Sequence, residues 1–316
     1  MKPTPEARYL YLCGRIRVLE GKLLSGAALR RLLEAPAAAE ALKVLETCGC
    51  PPPAEETPAA LEESLDMGRR ALFDWMEGLL PDPRLLYVFQ TPFDVHNLKV
   101  LLKHRHRPYT GPLPLSRCGR LTPESLAASP DRYDKVLPSL LLSTYRKAEK
   151  HLEATGDPLT GDALLDAACL SEMARWAEGA DIPFLRQLVG LQTDAANLRS
   201  MARRSEAPYA GGRVSGPRLR EADPAGLEGL FHSSPLREAA GALSRAGDAV
   251  EVERLCDNGI TAWLRIGGRV AFGPQPVAAY LAAREMETVN LRLLLTGRMA
   301  GIRRETLMKR MRDPYV

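Results

Sequence analysis

The sequence predicts an all-helical protein, and three observations support this fold class. Leu, Ala, Arg and Glu, which all favour helices, dominate its 316 residues. Runs of Val, Ile and Thr, which would indicate strands, are short and scattered. A Leu-rich segment that places an acid, an asparagine and leucines on one face of a helix occurs three times.

The three segments align on an asparagine. Asn97 and Asn197 are 100 residues apart, and Asn197 and Asn290 are 93 apart. Each copy has an acid three residues before the asparagine, a leucine directly after it and then a basic residue (Asp94, Asp194, Glu287; Leu98, Leu198, Leu291; Lys99, Arg199, Arg292). A tryptophan precedes each asparagine by 22, 21 or 27 residues. Such self-similarity indicates three copies of one structural unit.

Start and stop signals place the repeat helices. Thr91 and Pro92 predict the start of the first, Thr193 does so for the second, and the third is expected to begin near Pro276 and to be longer. Pro-rich and Gly-rich segments predict loops at 48–53, 107–114, 207–212 and 267–276.

A second recurring element follows the repeat helices. LSGAAL (24–29) and LTPESL (121–126) share a Leu-to-Leu spacing of five, with Ser or Thr after the first Leu. Near Leu219 this signature is expected to be lost, and IRRETL (302–307) is expected to open a further copy.

The repeat phase predicts three helical modules, with bounds 1–112, 113–212 and 213–316. A helix expected over about residues 5–20 looks like the tail of a repeat helix. We therefore expect the two ends of the sequence to lie in, or close to, the same module.

An asparagine inside a Leu-rich helix needs an explanation. Asn in a helix costs up to about 0.7 kcal/mol relative to Ala, and a buried unpaired amide costs roughly 1–3 kcal/mol. Three copies predict that neighbouring backbone satisfies the amide each time, so that acid, asparagine and leucine form a packing clamp. The alternative is a ligand contact, but an active site rarely needs three copies in one chain.

Basic residues follow each repeat helix, and two interpretations stay open. They are solvated helix ends that complement the helix dipole, or they form a collar that faces an acidic partner or lipid headgroups. The residues are Lys103, Arg105, Arg107, Arg203, Arg204, Arg303 and Arg304.

The composition bounds the class of protein. With 45% hydrophobic and 26% charged residues, it is typical of a soluble globular chain. A net charge of +4 is too balanced to indicate nucleic acid. No apolar run reaches the roughly 18 residues that span a bilayer, and the first residues lack the apolar stretch of a signal peptide. We expect a cytoplasmic protein, with its six cysteines as reduced thiols.

No motif for catalysis or metal binding is present. GxxxxGK[ST], HExxH, GxSxG and CxxC are all missing, so we expect no enzymatic activity, cofactor, metal or small-molecule substrate. His96, His104 and His106 lie near Asp94, but they lack the spacing of a helical metal face.

The triple pattern, together with YLYLCGRIRVLEGKLLS (9–25) and FDVHNLKVLLKHR (93–105), resembles the C subunit of the bacterial and archaeal V-type ATP synthase/ATPase, the counterpart of the eukaryotic d subunit. The resemblance runs from about Tyr9 to Arg310. It implies three similar helical domains with pseudo-threefold symmetry, which form a funnel around a central cavity.

The resemblance also implies a function. The family's member is a non-catalytic central-stalk subunit on the cytoplasmic side of the membrane. Its cavity accepts the shaft subunits D and F, and its opposite face sits on the proteolipid ring. It thereby supports ATP-driven or ATP-forming transport of protons or sodium ions.

Two rival functions compete with this one. The first is a helical-repeat scaffold for another protein partner. The second is a nucleic-acid-binding protein that uses KHRHR (103–107), but the charge balance and the lack of interleaved aromatic residues count against it.

Overall fold

A computed structural model describes residues 6–127, 133–204, 209–245 and 247–316. Every regular element in these ranges is a helix, which confirms the predicted all-helical class. A 3₁₀ turn at Glu6–Tyr9 leads into the first helix. The α-helices are α1 Leu10–Glu20, α2 Gly26–Glu34, α3 Ala38–Leu42, α4 Val44–Thr47, α5 Pro58–Glu77, α6 Arg84–His106, α7 Pro123–Ala127, α8 Tyr133–Val136, α9 Ser139–Thr155, α10 Pro158–Gly179, α11 Pro183–Ala202, α12 Gly216–Glu221, α13 Pro224–Leu230, α14 Arg237–Ser244, α15 Ala249–Gly268, α16 Pro274–Met299 and α17 Arg304–Arg310.

Three long helices start with the same capping chemistry. The side chains of Thr57, Asp157 and Asp248 accept hydrogen bonds from backbone N–H groups in the first turns of α5, α10 and α15. Pro58 and Pro158 occupy the first position of α5 and α10, where a missing N–H leaves no helical bond unmade. These three starts are about one repeat apart in the sequence.

The predicted starts of the first two asparagine helices are wrong. Thr91 and Pro92 lie inside α6, which begins at Arg84, because the buried residues Leu85, Leu86, Val88 and Phe89 continue the helix upstream. The Thr91 hydroxyl donates to Tyr87 O at 2.7 Å, so it satisfies a carbonyl of the preceding turn instead of capping a helix. Thr193 likewise lies inside α11, with its hydroxyl donating to Val189 O. The third helix begins at Pro274, close to the predicted Pro276.

The chain divides into two compact units. The continuous unit is Asp82–Asp181, and the split unit joins the residues up to Pro81 with Ile182–Val316.

In the continuous unit, α6 packs against α10 and α9. The buried side chains Leu98, Leu101, Tyr145 and Leu165 form part of its core. The asparagine helix therefore packs on helices that follow it in the sequence.

In the split unit, α11 packs on α14 and α15, and α16 packs on α15, α5 and α1. A core cluster contains Leu29, Leu33 and Leu65 from the first part of the sequence, together with Leu291 and Leu294 from α16. Both parts of the sequence thus contribute to one hydrophobic core.

The predicted module boundary between residues 112 and 113 falls inside the continuous unit. In that unit the asparagine helix α6 begins the compact segment and packs on α10. The division into three modules stays a prediction.

Candidate functional site

The three asparagines are buried and make the same pair of hydrogen bonds. Asn97 Nδ2 donates to Ser116 O and Asn97 Oδ1 accepts from Ser116 N, both at 2.8 Å. Asn197 bonds in the same way to Tyr209, at 3.1 and 2.6 Å. Each amide thus satisfies both backbone groups of a single residue, so its burial leaves neither the Nδ2 donor nor the Oδ1 acceptor unpaired.

The third asparagine draws its partner from the far end of the sequence. Asn290 Nδ2 donates to Arg312 O at 3.1 Å, and Asn290 Oδ1 accepts from Arg312 N at 2.9 Å. The partner lies 22 residues after the asparagine, against 19 residues for Asn97 and 12 for Asn197. Helix α17 lies within this connection.

The acid three residues before each asparagine binds a second backbone N–H. Asp94 Oδ1 accepts from Leu121 N at 2.9 Å, and Asp194 Oδ1 accepts from Val214 N at 3.2 Å. In both copies this partner lies five residues after the partner of the asparagine. We call residues 116–121 and 209–214 the straps, and each acid with its asparagine an acid–amide pair.

The third strap is assembled from two distant parts of the sequence. Glu287 Oε1 accepts from Leu24 N at 2.6 Å, while Asn290 binds Arg312. Arg312 takes the place of the strap's first residue and Leu24 the place of its last. Helix α16 therefore holds residues from both ends of the sequence in the split unit.

The short helix after each strap shows that the second recurring element is present in all three copies. VSGPRL (214–219) aligns with LSGAAL (24–29) and LTPESL (121–126), and it leads into α12 as the others lead into α2 and α7. The expectation that this signature is lost near Leu219 is wrong, since Val214 only replaces the first leucine. IRRETL (302–307) is not a further copy, because α17 precedes Arg312.

Two glycines allow the straps to approach the acids. A Cβ at Gly119 would lie 2.3 Å from Asp94 Oδ1, and a Cβ at Gly212 would lie 2.2 Å from Asp194 Oδ1. Both glycines stand two residues before the strap N–H that binds the acid. The equivalent residue in the third copy is Lys22, where the acid is the longer glutamate.

Gly119→Ala is expected to destabilise the continuous unit by about 1–3 kcal/mol, because the added methyl group overlaps a buried carboxylate. Urea unfolding followed by the fluorescence of Trp176 measures this. Gly161→Ala in α10 of the same unit is the control: a Cβ there would come no closer than 3.6 Å to its neighbours, so alanine should be neutral or stabilise α10 by up to about 1 kcal/mol. Equal effects of the two substitutions would contradict a tight approach at Gly119.

Burial disfavours the charged form of the acids in the three pairs. Desolvation raises the pKa of Asp94 to about 7, against the opposing effect of the Leu121 N–H and the Arg120 charge. It raises the pKa of Asp194 to about 6. Asp194 Oδ2 accepts no hydrogen bond from the described residues, so a proton can occupy that atom without displacing a donor. Burial also raises the pKa of Glu287, opposed by the Arg284 guanidinium.

The stability of the Asp94→Asn variant, relative to the original chain, is expected to increase as pH rises. The folded-state pKa is raised from the ordinary 3.8, so the stability linked to Asp94 is complete below about pH 4 and is lost as pH rises through about 7. The free energy of unfolding of Asp94→Asn relative to the original chain should increase by on the order of 2–4 kcal/mol across this range. Denaturation at several pH values measures it.

Asp157→Asn provides a control of opposite sign. Asp157 is the exposed N-cap of α10, and hydrogen bonds from the Leu159 N–H and Thr160 hold its pKa below the ordinary value. Its stability contribution is present above about pH 4 and lost as pH falls below that value. A pH-independent difference between Asp94→Asn and the original chain would show that Asp94 does not titrate as described.

The remaining residues of the repeat pattern lie at helix contacts. Leu98, Leu198 and Leu291 are buried. The basic residue two positions after each asparagine pairs with an acid on a packed neighbouring helix. The pairs are Lys99 with Asp166, Arg199 with Asp257, and Arg292 with Glu62. Their alignment was visible in the sequence, but their partners were not.

Arg312 is an important residue that sequence reasoning missed. Its side chain is 7% exposed and donates to Asp257 at 2.9 Å and to Glu253 at 2.8 Å. Asp257 also accepts from Arg199, and Glu253 from Arg203. A cluster of charged residues such as the one around Arg312 ordinarily predicts a solvated segment. No local signal in the sequence therefore indicated this buried network.

The predicted partner-facing basic residues differ in their surroundings. Arg105 is not placed as predicted for a partner-facing residue. Its guanidinium donates to the hydroxyls of Tyr133 and Tyr145, at 2.8 and 2.6 Å, inside the continuous unit. This arginine therefore points into the unit, where its guanidinium contacts both tyrosine rings and hydrogen-bonds to both hydroxyls.

The other basic residues lie at the surface. Lys103 pairs with Asp162, Arg203 with Glu253, and Arg304 with Glu34. Exposed pairs of this kind contribute at most about 1 kcal/mol each. Arg107, Arg204 and Arg303 are also exposed.

Burial lowers the reactivity of the cysteine thiols. All six cysteines are buried, and burial raises the pKa of Cys48, Cys169 and Cys256 to about 12. Thiols with such a pKa are poor nucleophiles at neutral pH. Within the described ranges, no three His, Cys, Asp or Glu side chains are grouped to hold a metal ion. No helix in the same ranges has the length and apolarity needed to cross a membrane.

The fold and the three acid–amide pairs define an all-helical protein with an internally repeated strap-binding helix. The model of the ATP synthase (C/AC39) subunit family matches residues 12–310, and the chain belongs to this family.

Curated relatives agree with this assignment. The chain is 25% identical to the C subunit of the V-type sodium ATPase of Enterococcus hirae, over 80% of this chain and 82% of that protein. It is 23% identical to the C subunit of the A-type ATP synthase of Methanocaldococcus jannaschii, over 95% and 85% of the two chains. It is 30% identical to the C subunit of the V-type ATP synthase of Thermus thermophilus, over 67% and 69%.

Proposed function

We propose that this chain is a non-catalytic central-stalk subunit of a rotary V-type ATP synthase/ATPase. In this role it is a socket and spacer between a shaft made by subunits D and F and the membrane proteolipid ring. It lies on the cytoplasmic face of the membrane and couples ATP hydrolysis or synthesis to proton or sodium transport. The family assignment and the names of the relatives support the proposal.

The observation that carries the proposal is the threefold recurrence of one acid–amide pair with its strap. A part that joins a shaft to a ring needs similar surfaces distributed around one axis, and three equivalent modules can supply them. We propose that each pair is a packing clamp, in which Asp94 and Asn97, Asp194 and Asn197, or Glu287 and Asn290 set the register of a strap. Leu98, Leu198 and Leu291 anchor the same helices.

We further propose that the exposed basic residues face partners in the complex. Lys103 lies in the last turn of α6 and Arg107 follows that helix. Arg203 and Arg204 follow α11, and Arg303 and Arg304 stand at the start of α17. Neutralising Arg203 and Arg204 should weaken binding of the chain to the purified ring, most strongly at low salt. An equal affinity at every salt concentration would restrict these residues to solvating a helix end.

Reconstitution of the rotary complex with and without this chain tests the proposed function. With the chain, shaft and ring should co-purify, and ATP addition should drive ion uptake into vesicles. Without it, the catalytic head should keep ATP hydrolysis, while the ring and ion uptake are lost. A complex that couples hydrolysis to uptake equally well without the chain would overturn the proposal. Binding to neither shaft nor ring would favour the scaffold interpretation.

A further inference from the structure

The continuous unit carries an open groove that the acid–amide pairs do not use. Its volume is about 420 Å³. It lies between the last turns of α6, the loop after α6 and the corner between α9 and α10. Apolar side chains line most of it: Val100, Leu113, Pro114, Leu152 and Pro158.

One side of this groove is basic. Lys103, His104, His106 and Arg107 all line it from the C-terminal turn of α6 and the residue beyond. Lys103 pairs with Asp162 at 3.0 Å, while Arg107 is exposed. Leu159, next to the lining residue Pro158, is 75% exposed, and the lining residue Tyr109 is 52% exposed. Apolar surface next to one cationic edge is typical of a recognition surface.

The loop wall of the groove is held in place. The Tyr109 hydroxyl donates to Pro112 O at 2.6 Å, and His96 Nε2 hydrogen-bonds to Pro114 O at 2.9 Å. The same loop ends at Ser116, which Asn97 binds with two hydrogen bonds. The groove is therefore formed before any partner arrives. Since the loop wall is already ordered, binding a partner costs less conformational entropy.

The split unit has a groove at the equivalent place in the repeat, with a volume of about 330 Å³. Leu293, Thr296 and Gly297 line it at the positions that Val100, Lys103 and His104 occupy relative to the asparagine. Pro58, the first residue of α5, lines this groove as Pro158, the first residue of α10, lines the groove of the continuous unit.

The two grooves differ in charge. Thr296 and Gly297 are neutral where the continuous unit has Lys103 and His104. In the second groove Arg292 pairs with Glu62, and Arg310 also lines the wall. The repeat thus supplies the shape of both grooves, and the groove of the continuous unit carries the denser basic edge, with Lys103, His104, His106 and Arg107 on one side.

We propose that the groove of the continuous unit docks an acidic helical segment of a protein partner, with an apolar side chain on its floor and Asp or Glu against Lys103 and Arg107. The proposal rests on the proposed function, in which the chain works inside a complex of several proteins. A concave site with one charged edge fits a rod with one acidic side, whereas a planar lipid surface contacts protruding residues. Helix-in-groove recognition uses this combination of apolar anchor and flanking charge.

Photo-crosslinking in the purified, assembled complex tests the docking. p-Benzoylphenylalanine replaces Leu113 in the groove of the continuous unit or, as a control, Ile302 in the groove of the split unit. From Leu113 we expect one crosslinked peptide of a different protein in the complex, with Asp or Glu within one helical turn of the attached apolar residue. A lipid adduct, no adduct in an intact complex, or a peptide without carboxylates would overturn the proposal.

Charge variants separate docking from proximity. Lys103→Glu with Arg107→Glu should lower the crosslink yield from Leu113 by about tenfold. Arg30→Glu with Arg31→Glu, an exposed basic pair on α2 of the split unit, should leave the yield unchanged. Both double variants must first show the original unfolding temperature. An unchanged yield in Lys103→Glu/Arg107→Glu counts against the docking, whereas failure of the chain to join any complex overturns the proposed function itself.

Discussion

Arg312→Met is expected to destabilise the split unit by about 2–4 kcal/mol. The guanidinium of Arg312 is buried and donates to Asp257 and Glu253 on α15, and to Arg310 O. Removing one partner of a buried ion pair costs about 3–5 kcal/mol, because the remaining charge keeps its desolvation penalty. Asp257 and Glu253 each retain a second arginine, so the expected cost lies toward or below the lower end of that range.

Chemical denaturation followed by the fluorescence of Trp263 measures this effect, in a background where Trp75 and Trp176 are phenylalanine. Arg304→Met is the matched control. Arg304 makes a single exposed ion pair with Glu34, and its loss should cost less than about 1 kcal/mol. If both substitutions cost the same, the network around Arg312 contributes no more than a surface pair.

The second large effect is expected for Asn97→Leu, at about 2–5 kcal/mol of destabilisation in the continuous unit. Leucine has the branched shape of asparagine but cannot bond Ser116. The Ser116 N–H and C=O would then remain without the amide in a buried site, and each unpaired group costs roughly 1–3 kcal/mol. Asn97 is 0% exposed, so water does not replace the lost bonds without local opening.

Trp176 fluorescence in a background without Trp75 and Trp263 reports the unfolding of this unit. Lys99→Gln, two positions along α6, is the control, since it removes only the partly exposed pair with Asp166 and should cost less than about 1 kcal/mol. Asn97→Asp provides a further comparison, because it keeps an acceptor for Ser116 N but loses the donor to Ser116 O. A cost of Asn97→Leu below that of Lys99→Gln would remove the basis for the proposed clamps.

Residues with a strong local pattern were read correctly from the sequence. Helix-forming composition and the spacing of leucines predicted the all-helical class, and Leu98, Leu198 and Leu291 are buried in the structure. Helical periodicity depends on the backbone geometry alone, so it needs no knowledge of the partner surface. The start of α16 near Pro276 was predicted within two residues for the same reason.

The errors arose where a local signal was outweighed by packing. Thr91 and Pro92 carry the signature of a helix start, yet α6 continues through them because its upstream apolar residues are buried. Arg105 carries the signature of a solvated helix end, yet it lies between Tyr133 and Tyr145. In both cases the deciding contacts come from residues that are distant in the sequence or one helix away.

Local patterns along the sequence establish that this chain is helical and that an acid and an asparagine recur together three times, and the match over residues 12–310 assigns it to the ATP synthase (C/AC39) subunit family. Only the tertiary structure decided which backbone groups the pairs bind, and that Leu24 and Arg312 complete the third pair from opposite ends of the sequence. The physical reason is that helical periodicity is a property of neighbouring residues. A hydrogen bond between residues 24 and 287 exists only after the helices have packed.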